Sequence, residues 1–162
     1  MKPRPIPITL GTRRLAGGGR LSGKVSEFNA ILRPRDRVML KILVFSNGED
    51  ALRFWNGSFV KRFGSVTDSM DADAEAWVLP TAGDKRFFAL VVYTGKPDLG
   101  PVAHEAVHVA CRYVERFGFK KSWALTGGGY EIGDFEEQRA YAAGAAADVI
   151  WAAVTKHAKE DT

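Results

Sequence analysis

The chain has 162 residues, of which 46% are hydrophobic and 26% charged, as is ordinary for one folded domain with its own core. A single cysteine, Cys111, excludes an internal disulfide and favours a reducing, cytoplasmic location. No apolar stretch approaches the roughly 20 residues that span a bilayer, and no apolar signal segment follows the basic N-terminus. We therefore expect neither a membrane helix nor secretion.

The net charge of +4 is unevenly distributed, because residues 1–41 carry ten Lys or Arg against two acids. Residues 1–24 also contain three prolines and Gly17-Gly18-Gly19, which predicts a flexible basic arm with one short edge strand at Ile6–Leu10. Such an arm is suited to an acidic partner or to nucleic acid, although a solvated tail is the simpler interpretation. Residues 25–162 are expected to form a single domain.

The first elements predicted in this domain are a buried strand and a short helix. Val38–Phe45 is rich in Val, Leu and Ile, as in a buried strand. Acidic residues follow Asn47-Gly48, and Ala51 to Trp55 has apolar residues at helical spacing, which favours a helix over a hairpin at Asn47-Gly48.

Two further strands are predicted after a polar, acidic loop at Phe63–Ala74. Ala76–Leu79 is short and is followed by Pro80, which suits the edge of a sheet. Arg86–Tyr93 is apolar on both faces, as expected of a central strand.

Two long helices complete the chain. The first is predicted from Pro101 to Gly118, and the second from Asp134 to about Ala158, with a glycine-rich loop at Trp123–Gly133 between them. The predicted fold class is α+β: a small, mostly antiparallel β-sheet packed against these two helices.

The first of these helices contains His104-Glu105-Ala106-Val107-His108, which includes two of the three histidines in the chain. Histidines at positions i and i+4 lie on one helix face, so both imidazoles can bind a single Zn²⁺ ion. Glu105 is displaced to the side of that face, where a carboxylate can accept a proton from a water that zinc has acidified.

The residues that flank this motif are uncharged, which predicts a helix buried on most sides. Buried histidines without a partner are costly, so burial favours a metal site over an accidental pattern. The alternative is a pair of core histidines bonded to backbone or water.

A zinc site needs a third protein ligand, and the acidic start of the second helix offers candidates. We favour Glu137, with Glu136 and Glu131 as alternatives. Asp134 and Glu137 also have the spacing of a helix-capping pair, which is the competing interpretation.

His104-Glu105-Ala106-Val107-His108, followed by a helix with Glu137-Gln138-Arg139-Ala140-Tyr141, resembles the zincin metallopeptidases whose third ligand is glutamate. The order strand, strand, active-site helix and glutamate helix is similar to minimal zincins, including small zincin-like proteins of bacteriophage and prophage genomes. The resemblance covers about residues 76–157. It implies peptide hydrolysis, with the Ala76–Leu79 edge as the strand that docks substrate. The sequence departs from several such proteins by having Tyr141 where an aspartate supports a zinc histidine.

The sequence therefore predicts a zinc-dependent hydrolase, specifically a metallopeptidase, with zinc bound by His104, His108 and Glu137 and with Glu105 as general base. The oxyanion donor is open among Tyr130, Tyr141 and His157, although a histidine near a helix C-terminus more often interacts with the helix dipole. The alternative is a catalytically weak or inactive zincin-like protein that binds a host protein or nucleic acid through its basic arm.

Overall fold

The computed structural model describes residues 6–10, 22–33, 36–54, 76–80, 85–117 and 134–162, without the side chains of residues 6–10, 79–80, 134–135 and 137. These ranges contain five strands and three helices. In chain order they are β1 (Ile6–Leu10), β2 (Val25–Ala30), β3 (Met39–Phe45), α1 (Gly48–Phe54), β4 (Ala76–Pro80), β5 (Phe87–Thr94), α2 (Leu99–Phe117) and α3 (Asp134–Asp161). The predicted α+β class is confirmed.

The strands form one sheet in the order β1-β2-β3-β5-β4. Only β3 and β5 are parallel among its neighbouring pairs, so the predicted mostly antiparallel sheet is confirmed. The edge position of Ala76–Leu79, the central position of Arg86–Tyr93 and the edge strand at Ile6–Leu10 are also confirmed. We call the end where β3 and β5 begin, at Met39 and Phe87, the amino end of the sheet. The end where they finish is the carboxyl end.

Helix α2 begins at the carboxyl end and runs back across the sheet. The amide of Asp98, next to its first residue, donates to the hydroxyl of Tyr93 on β5 at 3.1 Å. Four turns later the hydroxyl of Tyr113 donates to Asp36, just before β3, at 2.7 Å. The helix therefore lies antiparallel to β5.

Helix α3 packs along α2 and against β2 and β3, and it terminates at the carboxyl end. Its residue His157 contacts the hydroxyls of Ser26 on β2 and Ser46 after β3, and Glu160 lies 3.5 Å from the ammonium of Lys24. Helix α3 thus ends at the end of the sheet where α2 begins.

The main core fills the space between this helix pair and one face of the sheet. Its members recur at strand and helix spacing and include Phe28, Leu40, Ile42, Val44, Ala89, Val91, Tyr93, Val102, Ala106, Val109, Ala110, Tyr113, Ala142, Ala146, Val149, Ile150, Ala153 and Val154. Small alanines on both helices allow their backbones to approach closely. On the other face α1 covers the sheet, with the Phe54 ring 5.6 Å from that of Phe45. In the described parts of the chain, no helix has the length and apolar character needed to cross a membrane.

Two helix boundaries and one strand differ from the sequence prediction. Helix α2 starts two residues before Pro101, because the carboxylate of Asp98 accepts from the amide of Gly100 at 2.8 Å and caps the helix. Helix α3 continues past Ala158 to Asp161. Strand β2 was not predicted. The loops proposed at Phe63–Ala74 and Trp123–Gly133 lie outside the described residues.

Strand β2 escaped prediction because the adjacent polar residues Ser26 and Glu27 break its apolar pattern, and their partners lie far along the chain. Ser26 is buried under His157, and Glu27 accepts from the ammonium of Lys41 on β3 at 2.7 Å. A short stretch of sequence around β2 does not show either partner.

Candidate metal centre

The two motif histidines point their ring nitrogens at each other. The Nε2 atoms of His104 and His108 are 3.1 Å apart, and their rings meet edge to face with centroids 4.8 Å apart. Two nitrogens on one tetrahedral zinc, each at about 2.0–2.1 Å, would be roughly 3.3–3.4 Å apart. The observed separation differs from that by a few tenths of an ångström. The donor pair therefore fits a shared ion.

Without a metal, the same contact is a hydrogen bond in which one neutral imidazole donates to the other. Burial lowers the pKa of His108, and the nearby charges of His104 and Arg112 lower it further. A neutral imidazole is also the form that binds metal. Arg112 lies one turn after His108 and 3.0 Å from Glu115, and its i+4 spacing makes it a neighbour of His108 that lies outside the His-Glu-x-x-His motif.

The prediction that this helix is buried on most sides is wrong. The side chain of His104 is 70% exposed, and Val107 is 55% exposed beside it. The buried stripe consists of Val102, Glu105, Ala106, Val109, Ala110 and Tyr113, and it turns the histidines toward solvent. Burial therefore does not favour a metal at these histidines, and a metal site is supported only by the positions of their ring nitrogens.

Glu105 lies at the boundary between the exposed histidines and the core. Only 6% of the residue is exposed, and its Oε1 atom is 3.9 Å from Nε2 of His104. Burial raises the pKa of this carboxyl group to about 7, because the charged form loses hydration. A buried carboxyl group with a pKa near neutrality therefore lies beside the two imidazoles.

Glu137, the predicted third ligand, occupies the first turn of α3, and its side chain lies outside the described residues. It precedes His157 by 20 residues, or roughly 30 Å of helix. Asp98 and His157 both lie at the carboxyl end of the sheet. His108 lies roughly 15 Å from Asp98 along α2. In this conformation the backbone of Glu137 is therefore roughly 15 Å farther along the helix pair than His108. Coordination by Glu137 requires the first turns of α3 to adopt another arrangement.

Other carboxylates on α3 differ in their position relative to the histidines. Glu136, the first alternative, is exposed and shares the axial position of Glu137. Asp148 is exposed and precedes His157 by only nine residues, so it lies near the axial level of His108. Glu131 lies outside the described residues.

The structure also distinguishes among the three candidate oxyanion donors by their burial and contacts. His157 is buried, with Nδ1 2.8 Å from Ser26 Oγ and Nε2 3.1 Å from Ser46 Oγ, so it is neither a free donor nor an exposed charge at the end of α3. Tyr141 is 36% exposed, one turn after Glu137. Tyr130 lies outside the described residues.

Among the side chains that the structure describes, no three His, Cys, Asp or Glu residues lie close enough together to hold a metal ion. The described part of the site therefore consists of two converging imidazoles and one buried carboxyl group. The sequence matches no protein-family model, and neither the curated proteins nor the solved structures include one significantly similar to it.

Proposed function

We propose that this protein is a zinc-dependent hydrolase, and specifically a metallopeptidase. The observation that carries the proposal is the 3.1 Å separation of the Nε2 atoms of His104 and His108, since it suits a shared zinc ion. The buried Glu105 beside them supplies the base that hydrolysis requires.

Each residue has a role under this proposal. His104 and His108 would hold the metal through Nε2, and by resemblance to glutamate-ligand zincins Glu137 would supply the third ligand once the first turns of α3 rearrange. Bound zinc supplies Lewis acidity, which makes water a nucleophile near neutral pH and polarises a carbonyl. Glu105 takes the proton from the attacking water and returns it to the leaving amine. Tyr141 is the proposed donor to the developing oxyanion.

The proposed substrate is a peptide in extended conformation. Among the described strands, β4 has a neighbour, β5, on one side only, and α2 packs against β4, so an edge strand lies next to the helix that bears the histidines. An extended peptide can add to such an edge through backbone hydrogen bonds, which positions a peptide bond without demanding one side-chain sequence.

A second candidate is a zincin-like binding protein without hydrolytic activity. The axial distance between Glu137 and His108 favours it, because two histidines alone make an incomplete zinc site. Such a protein would act through a partner rather than through turnover.

The substitution Glu105→Gln separates the two candidates. We expect the variant to bind zinc as the native protein does but to cleave a mixed peptide library at least about 100-fold more slowly, because the base is lost. Glu115→Gln, an exposed position on the same helix, is the matched control and should cleave normally. Equal cleavage by Glu105→Gln and native protein contradicts the mechanism, and absence of cleavage by zinc-loaded native protein favours the binding protein.

A further inference from the structure

Two serine hydroxyls and one imidazole form a continuous hydrogen-bonded network at the carboxyl end of the sheet. Nε2 of His157 lies 3.1 Å from Oγ of Ser46, and Nδ1 lies 2.8 Å from Oγ of Ser26. Ser26 is 1% exposed and His157 is 3% exposed, whereas Ser46 is half-buried. The network therefore leads from the interior to a hydroxyl that solvent reaches in part.

Strand pairing and helix packing bring the three side chains together. The amide of Ser46, directly after β3, donates to the carbonyl of Lys24 at 3.0 Å, and Ser26 on β2 is in register with Val44 on β3. His157 belongs to the last turns of α3, which pack on these strands. The contacts that join α3 to the sheet thus also place an imidazole nitrogen beside the hydroxyl of Ser46.

The imidazole of His157 is suited to accept a proton. Burial lowers its pKa, and the carboxylate of Asp161 offsets only part of this effect, so the ring is neutral at neutral pH. In the tautomer with its proton on Nδ1, that nitrogen donates to Ser26, and Nε2 accepts from the hydroxyl of Ser46. A hydroxyl that donates to a neutral imidazole has the base that a nucleophilic serine requires.

The position of Ser46 in the sheet is a second, independent observation. Phe45 at the end of β3 is in register with Thr94 at the end of the parallel strand β5. Helix α1, which follows β3, covers one face of the sheet, whereas α2, which follows β5, packs on the other. In open sheets, ligands bind in the crevice at the carboxyl ends of neighbouring parallel strands whose helices diverge in this way. The first residue after β3, Ser46, therefore lies where such a crevice is expected.

We propose that Ser46 is the nucleophile of a second, metal-independent site that hydrolyses carboxylic esters, with His157 as its general base. Oγ of Ser46 forms a bond to the ester carbonyl carbon while its proton passes to Nε2 of His157. The bond to the alkoxy group then breaks, and this group leaves as an alcohol with that proton, so the acyl group stays on Ser46. Water releases the acyl group as a carboxylic acid by the same steps. An ester fits better than a peptide, because an alkoxy group leaves more readily than an amine.

The test is covalent labelling of the full-length protein, with and without zinc, by an alkyl fluorophosphonate. The oxygen of a nucleophilic serine displaces fluoride at phosphorus and passes its proton to the base, so a phosphonyl group stays on the protein. Peptide mass spectrometry identifies the labelled residue in the native protein without any substitution. Ser22→Ala is the matched control, because Ser22 is exposed and its hydroxyl contacts the carboxylate of Asp50 instead of an imidazole.

We expect a single label on Ser46, acquired equally fast with and without zinc. His157→Gln should slow labelling at least about 100-fold, because the hydroxyl loses its base, whereas Ser22→Ala should react as the native protein does. Circular dichroism checks that each variant is folded. Absence of label on native protein, a label on another residue, or labelling of His157→Gln at the native rate overturns the proposal. Labelling that requires zinc assigns the reaction to the metal centre and overturns it as well.

Discussion

The three histidines of this protein are used in two different ways. His157 is 3% exposed, and each of its ring nitrogens contacts a serine hydroxyl on another element. His104 and His108 are exposed, and their Nε2 atoms face each other across one turn of a single helix. One histidine joins three parts of the fold, whereas the other two contact each other.

This difference separates a structural histidine from a candidate ligand pair. His157 ties the end of α3 to the segments of Ser26 and Ser46, so its hydrogen bonds stabilise tertiary structure. The contact between His104 and His108 joins residues of the same helix and therefore fixes no other element. Two nitrogens converging on the surface are available for a ligand, and the fold does not need them.

The largest expected effect comes from removing one histidine of each kind. His108→Ala should weaken zinc binding roughly 100-fold or more, because a direct ligand is lost, and should change the free energy of unfolding of the metal-free protein by less than about 0.5 kcal/mol. His157→Ala should leave zinc affinity unchanged and destabilise the protein by about 2–4 kcal/mol, because a buried side chain is removed and the hydroxyls of Ser26 and Ser46 lose their partner.

Competition titration with a zinc indicator and urea unfolding measure these two quantities. If His157→Ala weakens zinc binding as much as His108→Ala does, the distinction between the two kinds of histidine is wrong.

A smaller effect is expected for the third ligand. If the first turns of α3 rearrange to bring Glu137 to the metal, Glu137→Ala should weaken zinc binding about 10- to 100-fold, whereas Glu136→Ala and Asp148→Ala should stay within about 2-fold of the native protein. The same competition titration ranks the three variants. Asp148 is a sharp control, because its axial level along α3 is close to that of His108. A loss confined to Asp148→Ala would transfer the third ligand to that residue.

The smallest expected effect is a pH dependence of stability at His157. Burial lowers the pKa of His157, and the carboxylate of Asp161 offsets only part of this effect. Below the ordinary value of about 6.5, the unfolded chain therefore takes up a proton before the folded protein does. Stability is full above this range and is lost as the pH falls toward the lowered pKa of the folded state.

His157→Gln keeps a donor and an acceptor but does not titrate. Urea unfolding at pH 7.5 and pH 5 should show a larger loss of stability on acidification for native protein than for this variant. Parallel losses in both proteins would show that other groups govern the acid response.

Local sequence patterns predicted much of the fold. The apolar runs of β3 and β5 predicted these two strands, and that of β5 also predicted its central position. The proline after Leu79 predicted the edge position of β4. The acidic residues after Asn47 gave α1. Strand β2 was missed because Ser26 and Glu27 are buried by His157 and Lys41, and such compensation depends on contacts distant in sequence.

The sequence predicted only the part of the candidate site that belongs to a single helix. Spacing of i and i+4 was sufficient to predict that His104 and His108 converge, because both belong to α2. Exposure was not predictable, since the uncharged flanks of the motif do not show which face packs on the sheet. The position of Glu137 depends on how two helices are aligned, and helical spacing within either one contains no information about that.

Zinc content of the purified native protein is the most direct test of the central claim, that His104 and His108 share a metal ion. Metal analysis after zinc loading and gel filtration should give one equivalent per chain for native protein and a value near zero for His104→Ala. No retained zinc in the native protein, or equal retention by both proteins, would contradict it.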